Sequence, residues 1–409
     1  MFIVEDKGGA IALMCFSLFF LGTWPALLTL LERRGRLPQH NYLDYSITNL
    51  LVAVLIALTL GQLGESKENM PNFFTQLSQD NWPSVLFAMA GGAVLSVGNL
   101  CTQYAWAYVG LSVTEVICAS MVVLIGTTVN YFLDNRINRA DNLFTGVACF
   151  LVAVILGTCV HSSNAADNKE KINRSRNRYK LGKNGGTEPS IQLKDRDAPV
   201  DIENGASAEY PTRAKAGTGE YLEELEKRRS IKLNGSSSLT GLGIVFFAGV
   251  CLSLFSPALN LATNDQWHTL KDGVPHLVVY TAFFYFSISS FVIGAGLNIL
   301  FLYRPMARVK SSSLKDYLND WEGRQWALLA GLFCGLGNGF QFMGGQAAGY
   351  AAADAVEALP LVSTFWGVVL LGEYRKSSKK TYTLLAFMLL MFIAAVVTLM
   401  ASSGHRSTK

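Results

Sequence analysis

The stretch YAAADAVEALPLVSTFW, residues 350–366, is small and apolar almost throughout, yet it carries Asp354 and Glu357. Three positions apart, the two carboxylates fall on one face of a helix, and Pro360 just beyond can loosen the backbone there. Glu115 sits in another apolar stretch, GLSVTEVICAS. A charged carboxylate at the centre of a membrane helix costs on the order of 3 kcal/mol even on the lenient insertion scale, so a chain that keeps one usually turns it toward a cavity and uses it. A carboxyl held away from water also tolerates its neutral form and can exchange protons near neutral pH. The chemistry these residues suggest is proton exchange, with Glu115 and Asp354 as the proton-linked centre and Glu357 as helper. The plainer alternative is hydrogen-bonded packing, or a place near a helix end in water.

Amides and aromatics accompany the acids. Asn99, Gln103, Tyr104 and Trp106 lie in one apolar segment, and Asn338, Gln341 and Gln346 in another. Amides donate and accept at once, which suits a small neutral planar heterocycle and does not suit a phosphate. For any one of them, interhelical packing competes with substrate contact. Gly331, Gly335 and Gly339, spaced by four, point to close helix packing. Trp82, Trp321 and Trp326 fit interfacial anchors.

The composition names the solvent these residues meet. Half of the 409 residues are hydrophobic and only 16% are charged, with mean hydropathy +0.28. That balance points to lipid. A net charge of +4 gives no support for a nucleic-acid partner. The seven cysteines fall in apolar runs without metal spacing, and the five histidines lie at or beyond the ends of those runs, so no metal site is expected. A nucleophile with a histidine partner is also lacking within the apolar segments, which argues against an enzyme.

Ten segments approach the roughly 20 residues that a membrane helix needs. They fall near residues 10–31, 43–63, 84–107, 110–132, 142–160, 239–261, 277–302, 326–348, 350–371 and 382–401. The predicted fold is therefore an all-α integral membrane protein. Residues 1–160 form a first five-helix repeat, 161–238 a central loop, 239–402 a second repeat and 403–409 a short tail. The central stretch is too polar to offset its chain entropy and reads as largely disordered. Within it, EYLEELEKRR has the charge spacing of a short surface helix. Arg33, Arg34, Arg36, Arg304, Arg308, Lys310, Arg375 and Lys376 share a side with that loop, which makes the loop cytoplasmic and puts both termini outside.

The halves resemble each other. A shift of 239 lays Gly92 on Gly331, Asn99 on Asn338, Glu115 on Asp354 and Asp134 on Glu373; upstream, a shift of 232 lays Pro25 on Pro257. These two prolines, with Pro360, are candidate helix kinks. Five spans per half makes the repeats inverted, an arrangement of secondary transporters whose substrate site lies near the midplane.

LGTWPALLTLLERRGRLPQHNYLDYS, NYFLDNR, SPALNLATNDQWHTLK, GNGFQFMGGQAAGYAAADAVEALPLVSTFWG and GEYR together resemble the plant ureide permeases, from about residue 4 to 402 and failing only in the central loop. The resemblance implies a ten-span plasma-membrane transporter, related to the drug/metabolite transporter superfamily. It would import allantoin and other oxo derivatives of nitrogen heterocycles, including uracil and xanthine, together with protons. Superfamily relatives are often drawn with cytosolic termini, against the charge count, which we keep. The family is also described with an ATP-site-like stretch in the cytosolic loop that ends in glycine, lysine and serine. Here the matching string is IKLNGSSS: Lys232 and Gly235 are present, but Ser236 stands where the lysine would be. No complete phosphate-binding motif occurs, so a proton gradient is the simpler energy source and no cofactor is required. A gradient-independent exchanger, or a membrane sensor that transports nothing, remain alternatives. Neither the oligomeric state nor the preferred substrate is legible.

Overall fold

The computed structural model describes residues 4, 6–64, 66, 70–184, 214–215, 217–232, 238–306 and 309–404. Every regular element among them is helical, and ten helices are long and apolar enough to cross a bilayer. In chain order these spans are Lys7–Arg33, Pro38–Leu58, Trp82–Val109, Leu111–Leu133, Ala140–Ser175, Leu239–Asn264, Val279–Tyr303, Arg324–Ala348, Tyr350–Val369 and Lys379–Ala401. The protein is an all-α integral membrane protein that crosses the bilayer repeatedly.

The third span packs on the sixth as the eighth packs on the first, and the third meets the seventh as the eighth meets the second. The second and seventh also pair, as do the fifth and tenth. Exchanging each span for the one five later maps this set of pairings onto itself. Close approach is built by glycine. A Cβ on Gly92 would lie 1.9 Å from the carbonyl oxygen of Phe286, and one on the equivalent Gly331 only 2.1 Å from that of Tyr45. Gly335 and Gly339 continue the second contact, against Val52 and Ile56 of the second span. The joints between spans three and four and between spans eight and nine are also alike. Each turns at a glycine with positive φ, Gly110 at 91° and Gly349 at 97°, a conformation side chains resist.

Two differences from the sequence reading concern helix extent. The fifth span does not end near residue 160; its helix runs from Ala140 to Asn184, so part of the expected loop is ordered. Its polar residues are satisfied by the start of the tenth span. Asp167 accepts from the Ser378 amide at 2.8 Å and the Thr381 hydroxyl at 2.7 Å, and Asn164 accepts from Ser377 at 2.8 Å. The short helix expected in EYLEELEKRR is present as Gly219–Arg228.

The second difference lies in the carboxylate-bearing spans, neither of which is a continuous α-helix. The fourth widens into a π turn at Val122–Gly126. The ninth is α over Tyr350–Ala353, tightens to a 3₁₀ turn at Asp354–Glu357 and resumes at Pro360, which opens the last segment rather than bending a continuous one. Pro25 and Pro257 lie inside unbroken helices. Proline cannot bond the carbonyl four residues back. At Pro257 that carbonyl belongs to Ser253, and it faces Gly126 of the π turn.

Candidate functional site

Between spans one, three, four, six, eight and nine lies a small internal cavity with Glu115 and Glu357 in its wall. Trp24, Asn99, Asn338 and Cys334 line it as well. Its free space is about 40 Å³, little more than the roughly 30 Å³ share of one water. The bundle is therefore closed around it, and a heterocycle could enter only after the spans separate.

Each carboxylate is steadied from behind. The Trp106 indole donates to Glu115 Oε1 at 2.9 Å, and the Gln341 amide donates to Glu357 Oε1 at 3.1 Å. Among the described residues no donor reaches either second oxygen, which leaves acceptor capacity for a ligand's N–H groups. Flat faces sit beside them. Trp24 lies 5.0 Å from Tyr45 and 5.5 Å edge-on to Trp106, centroid to centroid. Asn99 donates to the Tyr45 hydroxyl at 3.2 Å, and Asn338 reaches Cys334 Sγ at 3.3 Å. The wall thus combines acceptors, amides and aromatic surface, a set that can grip a planar solute rich in N–H donors.

Asp354 is elsewhere. In a 3₁₀ turn residues three apart share a face but stand about 6 Å apart along the axis. Asp354 is fully buried one level below Glu357, outside the cavity wall, where it accepts from Ser256 Oγ at 3.0 Å and Asn130 Nδ2 at 2.9 Å. Glu115 and Glu357 thus meet in the cavity wall, while Asp354 is bonded into the contact between the fourth and sixth spans.

The anticipated substrate residues also divide. Asn99 and Asn338 line the cavity, while Trp106 and Gln341 orient its carboxylates. The structure does not bring Gln103, Tyr104 or Gln346 to the wall: Gln103 is buried with both amide atoms unpartnered, Tyr104 packs against Phe301, and Gln346 is half-buried. Trp24, Tyr45 and Cys334 are site residues that the sequence reading missed.

The two ends of the bundle are closed differently. At one end, helix Gly219–Arg228 lies over a cavity of about 200 Å³ whose floor includes Gly110 and Ser112, within two turns of Glu115. It is fastened by Glu32, which accepts from Arg229 at 3.2 Å and from the Ile231 amide at 3.1 Å, and by Glu220, which accepts from Ser175 at 2.7 Å. Arg33 pairs with Glu373 at 2.6 Å, and Ser112 donates to the same carboxylate at 2.9 Å. Nearby loops are tied by Asp44, bonded to Arg36 at 2.6 Å and to Tyr317 at 2.7 Å. Burial pushes the Tyr317 phenol above its ordinary range, and the bond to Asp44 adds to that, so it remains a donor. Lys232 donates to the Lys227 carbonyl at 2.6 Å; Gly235 and Ser236, also named for the nucleotide-like string, lie outside the described residues. Serine stands at 236 in place of the lysine that would follow the glycine.

Comparison with known proteins settles the family. Residues 41–402 match the family model described as ureide permease. The chain belongs to the ureide permease family. It is 66% identical to Ureide permease 1 of Arabidopsis thaliana, the match covering 99% of this chain and 100% of that one. It is 64% identical to Ureide permease 2 of the same plant, with the same coverage. Probable ureide permease A3 of Vigna unguiculata is 61% identical over 93% of this chain and 99% of its own. Permeases move solutes rather than transform them, so this is a membrane transporter and not an enzyme.

Proposed function

We propose that this permease imports allantoin and related oxo derivatives of nitrogen heterocycles, uracil and xanthine among them, driven by protons moving inward with the solute. The observation that carries the reading is the internal cavity with two carboxylates, two amides and an aromatic cluster, and no Lys or Arg in its wall. A ureido or imide group presents adjacent N–H donors that a carboxylate oxygen can accept, and its flat ring can lie on Trp24 or Trp106. The names of the relatives support ureides as cargo. Glu115, Asp354 and Glu357 form the proton-linked centre, since a charged carboxylate buried without a cation is costly and a proton removes the charge.

The central segment is read as cytosolic and the termini as outside, with the plasma membrane as the location. The arginines gathered at the Glu32 end support this. The halves, inserted in opposite senses, would rock about the cavity to expose it alternately. No nucleotide is needed for this cycle.

Uptake of labelled allantoin into proteoliposomes under an inward proton gradient tests the reading. Accumulation should collapse with a protonophore and fall sharply in Glu115→Gln. Accumulation that ignores the protonophore would point to a facilitator or exchanger, and no uptake at all would refute transport of this solute.

A further inference from the structure

Ser256, Asn260 and Asn264 recur every four residues along the sixth span, and Asn130 and Asp134 do so on the fourth. The two stripes face each other. Asn260 Nδ2 donates to Asn130 Oδ1 at 3.0 Å, Asn264 donates to Asn260 Oδ1, and Asn264 reaches Asp134 Oδ1 at 3.4 Å. Asp134 also accepts from the Tyr350 amide at 2.6 Å. At its inner end the column stops on Asp354 through Asn130 and Ser256. Eight residues of α-helix advance about 12 Å, so this polar seam leads from the Asp134 end of the bundle to the ninth-span carboxylate.

We propose that Asn130, Ser256 and Asn260 hold Asp354 as an ion-carrying carboxyl in a compartment of its own, loaded with a proton from the Asp134 end and not through the substrate cavity. The inference rests on the proton-coupled reading and adds a division of labour: Glu115 and Glu357 face the solute, Asp354 faces the ion. Three observations carry it. Asp354 is absent from the cavity wall. Its neighbours are amides and hydroxyls, which can hydrogen-bond either form of the acid and the waters that reach it without titrating themselves. Thr127 brings a further buried hydroxyl to Asp354 from the fourth span.

Among the described residues Glu357 is the charged group that bears on Asp354; the first, fourth, sixth and tenth spans around that turn add none to it. The step is simple in balance. Hydronium gives up one proton, an O–H bond forms on Asp354, and the same bond breaks when the proton leaves on the other side. While Asp354 is ionised it repels a charge on Glu357 about 6 Å away along the turn; once neutral it does not. The proton is thereby felt at the solute site without entering it.

The test uses the full-length protein in liposomes and the variants Asn260→Leu and Ser256→Ala. Two readouts are compared: accumulation of labelled allantoin under an inward proton gradient, and allantoin–allantoin exchange at symmetric pH. Accumulation should fall about tenfold or more in Ser256→Ala, the factor for one lost hydrogen bond to a charged group, and should fall in Asn260→Leu because Asn130 loses the donor that orients it toward Asp354; exchange stays within about twofold because the cavity is untouched. Should either variant fail to insert or fold, the other still decides. Parallel loss of both readouts would reduce these residues to structural packing and overturn the proposal, as would unchanged accumulation in both. Wild-type accumulation that needs sodium in place of protons would overturn the choice of ion. Wild-type indifference to a protonophore would instead sink the proton-coupled reading itself.

Discussion

The seam between the fourth and sixth spans and the seam between the ninth and first occupy corresponding places in the two halves, and their chemistry is opposite. Where the sixth span has Ser256, Asn260 and Asn264, the first has Trp24, Leu28 and Glu32; where the fourth has Asn130 and Asp134, the ninth has Val369 and Glu373. One seam is a continuous amide column ending on Asp354. The other puts an indole in the cavity wall, a leucine behind it, and carboxylates clamped by Arg229 and Arg33 at its rim. Similar helix pairing thus carries an amide column in one half and an aromatic and aliphatic seam closed by ion pairs in the other. The lesson is that a repeated scaffold fixes where side chains meet, while the residues placed there decide what can pass.

The sharpest way to break this comparison is to neutralise the equivalent acids separately. Asp354→Asn should lower gradient-driven accumulation by roughly a hundredfold, as expected for a buried charged group that accepts two hydrogen bonds, yet spare exchange. Glu115→Gln should impair both. Identical behaviour of the two would erase the distinction between the compartments.

Steric change should treat the halves alike. Gly92→Val and Gly331→Val each drive a side chain into a carbonyl oxygen of the facing span, at a cost of about 3 kcal/mol or more. Thermal unfolding in detergent should show similar drops in Tm for both; a large inequality would mean that the two crossings are not equivalent.

Smaller effects follow at the rims. Trp106→Phe removes the indole donor from Glu115 and should weaken allantoin uptake about tenfold. Glu32→Gln loosens the strap over the larger cavity. A cysteine placed at Leu225 should then react a few-fold faster with a water-soluble maleimide, consistent with about 1 kcal/mol of lost attachment. An unchanged labelling rate would locate the fastening elsewhere.

Much of this was legible from residue type and spacing. Ten apolar runs announce the spans, and the acids at 115 and 354 stand out because a carboxylate is rare in such a run. The separation of Asp354 from Glu357 was hidden, since a spacing of three reads as one helical face, and only the neighbours that fold against each acid, Asn130 and Ser256 for one and Gln341 for the other, set them apart. The polar stripe of Ser256, Asn260 and Asn264 was visible, but such residues in membrane helices often serve as interhelical glue. What makes these a column is the facing stripe at 130 and 134, a tertiary fact. The persistence of the fifth helix past residue 160 was likewise beyond local composition, because its partners lie more than two hundred residues away.

That long helix has a practical consequence. Between Val160 and Asn184 it advances roughly 36 Å at 1.5 Å per residue, more than the thickness of a hydrocarbon core. A chain of 44.6 kDa sunk in a detergent micelle offers electron microscopy few landmarks for particle alignment. The helical extension tied by Asp167 to the start of the tenth span supplies one, and a helical fusion partner spliced in register onto it would be held by the same bonds.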